Sequence, residues 1–121
     1  MILEKLNQNE ANFADVIAHI EENYLYTASA FVNGNQENAV DQNQGSAKVF
    51  AFAKLNNFSE DDTLKLFAEH YQAVLDSPEG TDHNNIRQFM QNGWKGVTFE
   101  NEVLTKKKTQ KKNVLQNVRR F

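Results

Sequence analysis

One segment, Ala47 to Leu55, carries apolar residues around most of a helical wheel. Val49, Phe50, Phe52, Ala53 and Leu55 leave only Lys48 and Lys54 charged. A helix that is apolar on several sides is stable only when other elements enclose it. Two stretches have the pattern to do so. Phe13, Val16, Ile17, Ile20 and Tyr24 recur at i, i+3, i+4, i+7 and i+11, which predicts a helix over 10–24 with Asn9 as its N-cap. Leu64, Phe67, Ala68, Tyr71 and Leu75 repeat that spacing, which predicts a helix over 60–76. Ser59 is its cap, and Glu60, Asp61 and Asp62 place negative charge in the first turn, where the helix dipole favours it.

Ser77-Pro78-Glu79-Gly80 reads as a turn. Thr81 or Asp82 then caps a helix with Ile86, Phe89 and Met90 as its stripe and Gly93 as its end. Ile2, Leu3 and Leu6 suggest a short leading helical turn. The Asn33-Gly34 pair suits the tight turn of a short hairpin. Val97 and Phe99 alternate with polar residues, which predicts a small C-terminal strand or hairpin around Asn101-Glu102. The fold class is mainly α (α+β): a compact single domain of four to five helices with a small β-hairpin contribution. A chain of 121 residues is long enough for one core and too short for two.

Composition removes several functions. With no Cys, disulfides, thiolate metal sites and a cysteine nucleophile are excluded. No apolar run approaches the ~20 residues of a membrane helix, and residues 1–10 lack an apolar run of signal-peptide length. The sixteen Asn are scattered through periodic segments, so they form no low-complexity tract. The net charge of −3 conceals a division: residues 106–121 hold seven bases and no acid, so residues 1–105 carry six bases against sixteen acids. The expected organisation is a globular domain over 1–105 and a basic C-terminal tail or short helix over 106–121, with Val114, Leu115, Val118 and Phe121 at helical spacing. The acidic body repels nucleic acid, and only the tail attracts it. The tail's alternatives are a solvated segment or a helix lying on the chain's own acidic body.

From Tyr24 to Leu104 an ordered series of stretches is similar to the HopJ type III effector family. The series runs Phe31-Val32-Asn33-Gly34, then Asn43 through Leu55, then Thr63-Leu64 through Tyr71. It continues with Asp82 through Met90 and with Gly93-Trp94-Lys95-Gly96-Val97-Thr98-Phe99. Two departures stand out: Ala47 where the resemblance implies Cys, and His70-Tyr71 where it implies a Tyr-Tyr pair. The resemblance implies no established reaction. It does imply a bacterial cytoplasmic protein, with export through a type III system as the context behind the family's name.

The candidate chemistry gathers in two stretches. Asp82, His83, Asn84, Asn85 and Arg87 stand at a helix start, where free N–H groups attract anions, and His83 and Arg87 are four apart. The competing reading makes Asp82 a cap and pairs Arg87 with a carboxylate. Asn43, Gly45, Ser46 and Lys48 enter the apolar helix and present backbone N–H groups with a nearby charge. They lack the first Gly and the Lys-Ser/Thr order of a phosphate loop. Ser46 alternatively caps that helix. With Asn33 and His70 these residues form a candidate ligand-binding set: Asn33, Asn43, Gly45, Ser46, Lys48, His70, Asp82, His83, Asn85 and Arg87. Ser46, His83 and Asp82 supply the types for nucleophilic catalysis, without the Gly-x-Ser-x-Gly elbow. His19, His70 and His83 show no zinc-helix spacing, so neither a metal nor a cofactor is expected. Trp94, between Gly93 and Gly96, reads as a packing anchor whose ring the glycines let the backbone approach. The expected function is a binding or effector-type module working through a polar cleft, with an unidentified protein or a small anionic ligand as partner. The alternative is a small hydrolase-like or anion-handling enzyme using the same cleft.

Overall fold

The computed structural model describes residues 2–107. Six α-helices and two small antiparallel sheets follow one another along the chain. The helices are α1 (Ile2–Asn7), α2 (Phe13–Asn23), α3 (Gln44–Leu55), α4 (Glu60–Lys65), α5 (Glu69–Asp76) and α6 (Asn84–Asn92). The strands are β1 (Tyr24–Tyr26), β2 (Phe31–Asn33), β3 (Gln36–Asn38), β4 (Val97–Phe99) and β5 (Leu104–Lys106). The class is mainly helical α+β, as the apolar periodicity predicts.

Helix α3 is the enclosed one. Ala47, Val49, Phe50, Ala51, Phe52 and Ala53 are all buried. The Phe50 ring lies 5.0 Å from Phe89, 5.4 Å from Phe67 and 6.3 Å from both Phe31 and Trp94, centre to centre. One side chain thus joins β2, the segment after α4, α6 and the turn after α6. Fully burying a ring of this size stabilises by about 1.5–3 kcal/mol, and aromatic pairs add to that. Leu55, Leu75 and Met90, expected on apolar faces, are exposed.

Several boundaries differ from expectation for identifiable reasons. Asn9 does not cap α2. Its backbone is left-handed, and the Glu10 N–H donates to Lys5 O at 2.7 Å, so Asn9 closes α1 instead. The cap of α2 is Asn12, which exchanges side-chain and backbone hydrogen bonds with Asp15 as a capping box. The hairpin turn is Gly34-Asn35 rather than Asn33-Gly34. Asn33 pairs with Gln36, and only Gly34 of the two turn residues has positive φ, as a hairpin with glycine at its first central position requires. This moves Asn33 into β2 and turns its side chain inward. The C-terminal strands do not pair with each other. β4 pairs with β2 to give the order β3-β2-β4, and β5 pairs with β1, Tyr24 opposite Lys106. The glycines beside Trp94 serve other neighbours than its ring. A Cβ on Gly93 would collide with the Glu60 carboxylate that accepts the Trp94 N–H, and Gly96 O accepts the Gly34 N–H at 3.0 Å.

The single helix expected over 60–76 is two. Ala68 breaks it with φ 52° and ψ −122°, a conformation that costs an L-residue about 1–3 kcal/mol. The break lets Glu69 Oε1 accept the Phe13 N–H at 2.8 Å and re-aims α5. Ser59 caps α4 as predicted, accepting from the Asp62 N–H. The tail residues Val114, Leu115, Val118 and Phe121 lie outside the described residues. Replacing Ala68→Gly relieves the strain at a small entropic cost, and we expect a gain of about 1 kcal/mol. Thermal melts of the two proteins check this: the variant's midpoint should rise by a few degrees, and an unchanged or lowered midpoint rejects the strain assignment.

Candidate functional site

The first turns of α3 and α6 face each other across a cavity of about 320 Å³. Its wall comprises Phe13, Gln36, Asn43, Gly45, Ser46, Phe67, His70, His83, Asn84, Asn85 and Ile86. Neither helix is capped by a side chain. Asn43 and His83 occupy the cap positions in left-handed conformation, φ 52° in both. The usual capping residue is extended and accepts an N–H with its side chain. Here both side chains are free to reach elsewhere. This corrects the expectation that Thr81 or Asp82 caps α6 and that Ser46 caps α3; Ser46 lies inside the first turn.

A network of amides supports the cavity: Asn33, Asn38 and Asn85 are buried, whereas Asn43 is exposed. Asn33 is fully buried and donates from Nδ2 to Asn85 O at 2.7 Å and to Asn85 Oδ1 at 3.1 Å. Asn85 donates to Asn38 Oδ1 at 3.0 Å, and Asn43 donates to that same oxygen at 2.8 Å. Asn38 in turn donates to Phe31 O. Four asparagines thus link β2, β3, the α3 start and α6. Above them Asn84 donates to Gln36 Oε1 at 2.8 Å. Among the described residues Asn33 Oδ1 has no hydrogen-bond partner.

The aromatic wall is ordered as well. Phe13 stacks on Phe67 and meets His70 edge-on at 4.8 Å between ring centres. His70 then lies 5.1 Å from His83.

Of the ten residues in the candidate set, Asn43, Gly45, Ser46, His70, His83 and Asn85 line this cavity. Asn33 lies beneath it, bonded to Asn85. The remaining three are elsewhere. Lys48 Nζ pairs with Glu21 at 2.8 Å and stands 4.3 Å over the Tyr26 ring. Arg87 folds back on the preceding loop. It donates to Asp82 O at 2.6 Å, Asp82 Oδ1 at 2.8 Å and Ser77 O at 3.0 Å. So His83 and Arg87, four apart, do not converge on one anion: the guanidinium is satisfied by the turn that precedes α6. The hydrogen bond from Arg87 holds the Asp82 carboxyl below the usual carboxylate range, with His83 acting in the same direction. Sequence reasoning missed Gln36 as a wall residue and Asn38 as the hub of the network. Asn in a strand is unfavourable on propensity, and that was the available signal for Asn38.

Residues 1–104 match the family described as HopJ type III effector protein. The chain belongs to the HopJ family. The match extends to the N-terminus and so includes α1 and α2, beyond the stretch from Tyr24 that carries the resemblance in sequence. The HopJ chain is also similar to a solved crystal structure described as the unknown-function protein VPA0580. The two share 43% identity, with a TM-score of 0.81, over 88% of this chain and 91% of that one. Among curated proteins no match was found. No described helix of this HopJ protein is long and apolar enough to cross a membrane. Ala47, where the resemblance implies Cys, is fully buried in α3 and does not line the cavity.

Two outcomes follow from this geometry. Asn85→Ala removes a partner from both Asn33 and Asn38 and should destabilise by about 2–3 kcal/mol in urea unfolding, whereas Asn84→Ala should cost less than about 1 kcal/mol; equal effects would reject the network as the anchor. The second concerns acid. Because Asp82 titrates below its unfolded value, its pairing stabilises fully above about pH 4 and is lost as pH falls through the lower folded pKa. Asp82→Asn should therefore lower the melting midpoint at pH 6, and the gap to the parent should close in strong acid.

Proposed function

We propose that this HopJ-family protein works by binding, and that it takes a small ligand bearing an acidic group in the cavity between the first turns of α3 and α6. The observation that carries the reading is the paired start of two helices without side-chain caps on one cavity. The first-turn N–H groups of a helix lack intrahelical partners, and the dipole adds partial positive charge there. A left-handed residue followed by a helical one also turns consecutive N–H groups toward a common point, an arrangement that suits anions. Ser46 adds a hydroxyl, and Phe13, Phe67 and Ile86 offer apolar surface to the rest of the ligand. A partner protein presenting an acidic group would use the same features, and export through a type III system belongs to this proposal as the setting in which such a partner would be met.

A hydrolase with Ser46 as nucleophile, His83 as base and Asp82 as orienting group has less support. Ser46 and His83 share the cavity wall, but among the described residues no hydrogen bond joins Ser46 to an imidazole. Asp82 is held by Arg87 and not by His83. A nucleophile, base and orienter act as a unit only when linked in that order.

Thermal-shift screening of phosphorylated and carboxylated metabolites at millimolar concentration tests the binding reading. A ligand at a hundredfold its Kd stabilises by about 2.7 kcal/mol, enough to raise the midpoint by several degrees. The shift should vanish in Ser46→Trp, which fills the cavity, and amide signals of Gly45, Ser46 and Asn85 should move on binding. A panel without effect, or a shift that survives Ser46→Trp, rejects the proposal.

A further inference from the structure

We propose that His70 and His83 together form a site for one borderline divalent transition ion, Zn²⁺ in the first instance. The inference goes beyond the binding reading: it uses the two imidazoles on the wall of the same cavity, not the first-turn N–H groups. The two rings come from different elements, α5 and the residue that caps α6, and their centres are 5.1 Å apart. In a tetrahedral Zn²⁺ site each nitrogen lies about 2.0–2.1 Å from the ion, and a ring nitrogen lies roughly 1.1 Å from its ring centre, so two imidazoles on one ion have centres about 5 Å apart. The observed separation equals that distance, with the two ring planes inclined at 36°.

The imidazoles are also available. Among the described residues neither makes a hydrogen bond. They contact each other, with the Phe13 ring against His70 and the Asp82 carboxylate near His83. The nearby carboxylates are engaged elsewhere, Glu69 by the Phe13 N–H and Asp82 by Arg87. Two imidazole nitrogen donors without a carboxylate select Zn²⁺, Cu²⁺ or Ni²⁺ over Mg²⁺ or Ca²⁺, which demand oxygen. No third imidazole or carboxylate completes a set among the described residues. The ion therefore retains open positions, facing a cavity that Ser46, Asn43 and Gln36 also line. The phenyl edge at 4.8 Å orients the His70 ring, and the left-handed backbone at His83 brings the second ring to it, which lowers the cost of assembling the pair.

Calorimetric titration of ZnCl₂ into the untagged full-length chain, alongside imidazole nitrogen NMR, tests this. The expected result is one Zn²⁺ per chain with micromolar affinity, shifts confined to His70 and His83, and no binding of Mg²⁺. His70→Gln and His83→Gln should each weaken Zn²⁺ at least tenfold while their metal-free melting midpoints stay near the parent's. His19→Gln serves as the control, because its ring packs edge-on against Phe52 and does not line the cavity; it should bind as the parent does. Absence of Zn²⁺ binding, binding that survives both pocket variants, or an equal loss in His19→Gln overturns the inference. Repeating the metabolite screen in EDTA separates the two proposals, since the acidic ligand of the preceding section needs no ion.

Discussion

A buried amide left without a partner costs free energy comparable to a lost hydrogen bond, and this requirement organises the molecule. Asn33, Asn38 and Asn85 are buried, in two strands and a helix separated by up to 52 residues in sequence. Their hydrogen bonds can be made only when the hairpin, the start of α3 and the start of α6 stand in one arrangement. The apolar core supplies most of the driving force, yet burial is tolerant of direction. Hydrogen bonds are directional, so the paired amide atoms of Asn33, Asn38 and Asn85 fix orientation more narrowly than apolar contact does. They give the core its register, and the cavity above them is the space that remains when two helix starts are held at that distance.

The same division explains what was legible in the chain. The enclosed helix, the α2 stripe, Ile86 and Phe89 of α6, the Ser59 cap and the glycine end of α6 all follow from periodicity and local chemistry. The strand pairing did not. Residues 96–105 read as a strand or a local hairpin because β4 and β5 are three-residue strands close in sequence, and short strands carry too little pattern to choose a partner. Non-local pairing with β1 and β2 was decided by burial of Phe31, Leu104 and Tyr24. The break at Ala68 was equally hidden. Its apolar spacing continues through the break, and alanine is the strongest helix former, so only the tertiary demands of Phe13, Glu69 and the packed Phe67 ring override it.

The candidate site was half legible for a related reason. Residue types at helix starts signalled Asn43, Gly45, Ser46, His83 and Asn85. Long charged side chains misled, because Lys48 and Arg87 reach far enough to find partners that spacing does not reveal. Lys48 crosses to Glu21 on α2, and Arg87 turns back to the Ser77-Pro78 carbonyls. Short side chains stay where the backbone puts them. The dependable sequence signal for this cavity is therefore its Asn, Ser and Gly content.

Asn43 and His83 show how backbone conformation and site are coupled. A side-chain cap contributes typically about 1 kcal/mol, and both positions forgo it. Asn and His are both among the non-glycine residues that accept a left-handed backbone most readily. In exchange the Asn43 amide completes the buried network at Asn38, and the His83 ring reaches His70 across the cavity. The first exchange has a structural return, since it satisfies Asn38 Oδ1 with a second donor. The second has none of comparable size within the fold: two adjacent imidazoles without hydrogen bonds stabilise little. A local preference given up without a structural return is the kind of departure that concentrates at functional sites. On that reasoning the binding we propose has stronger structural support at the α6 start than at the α3 start.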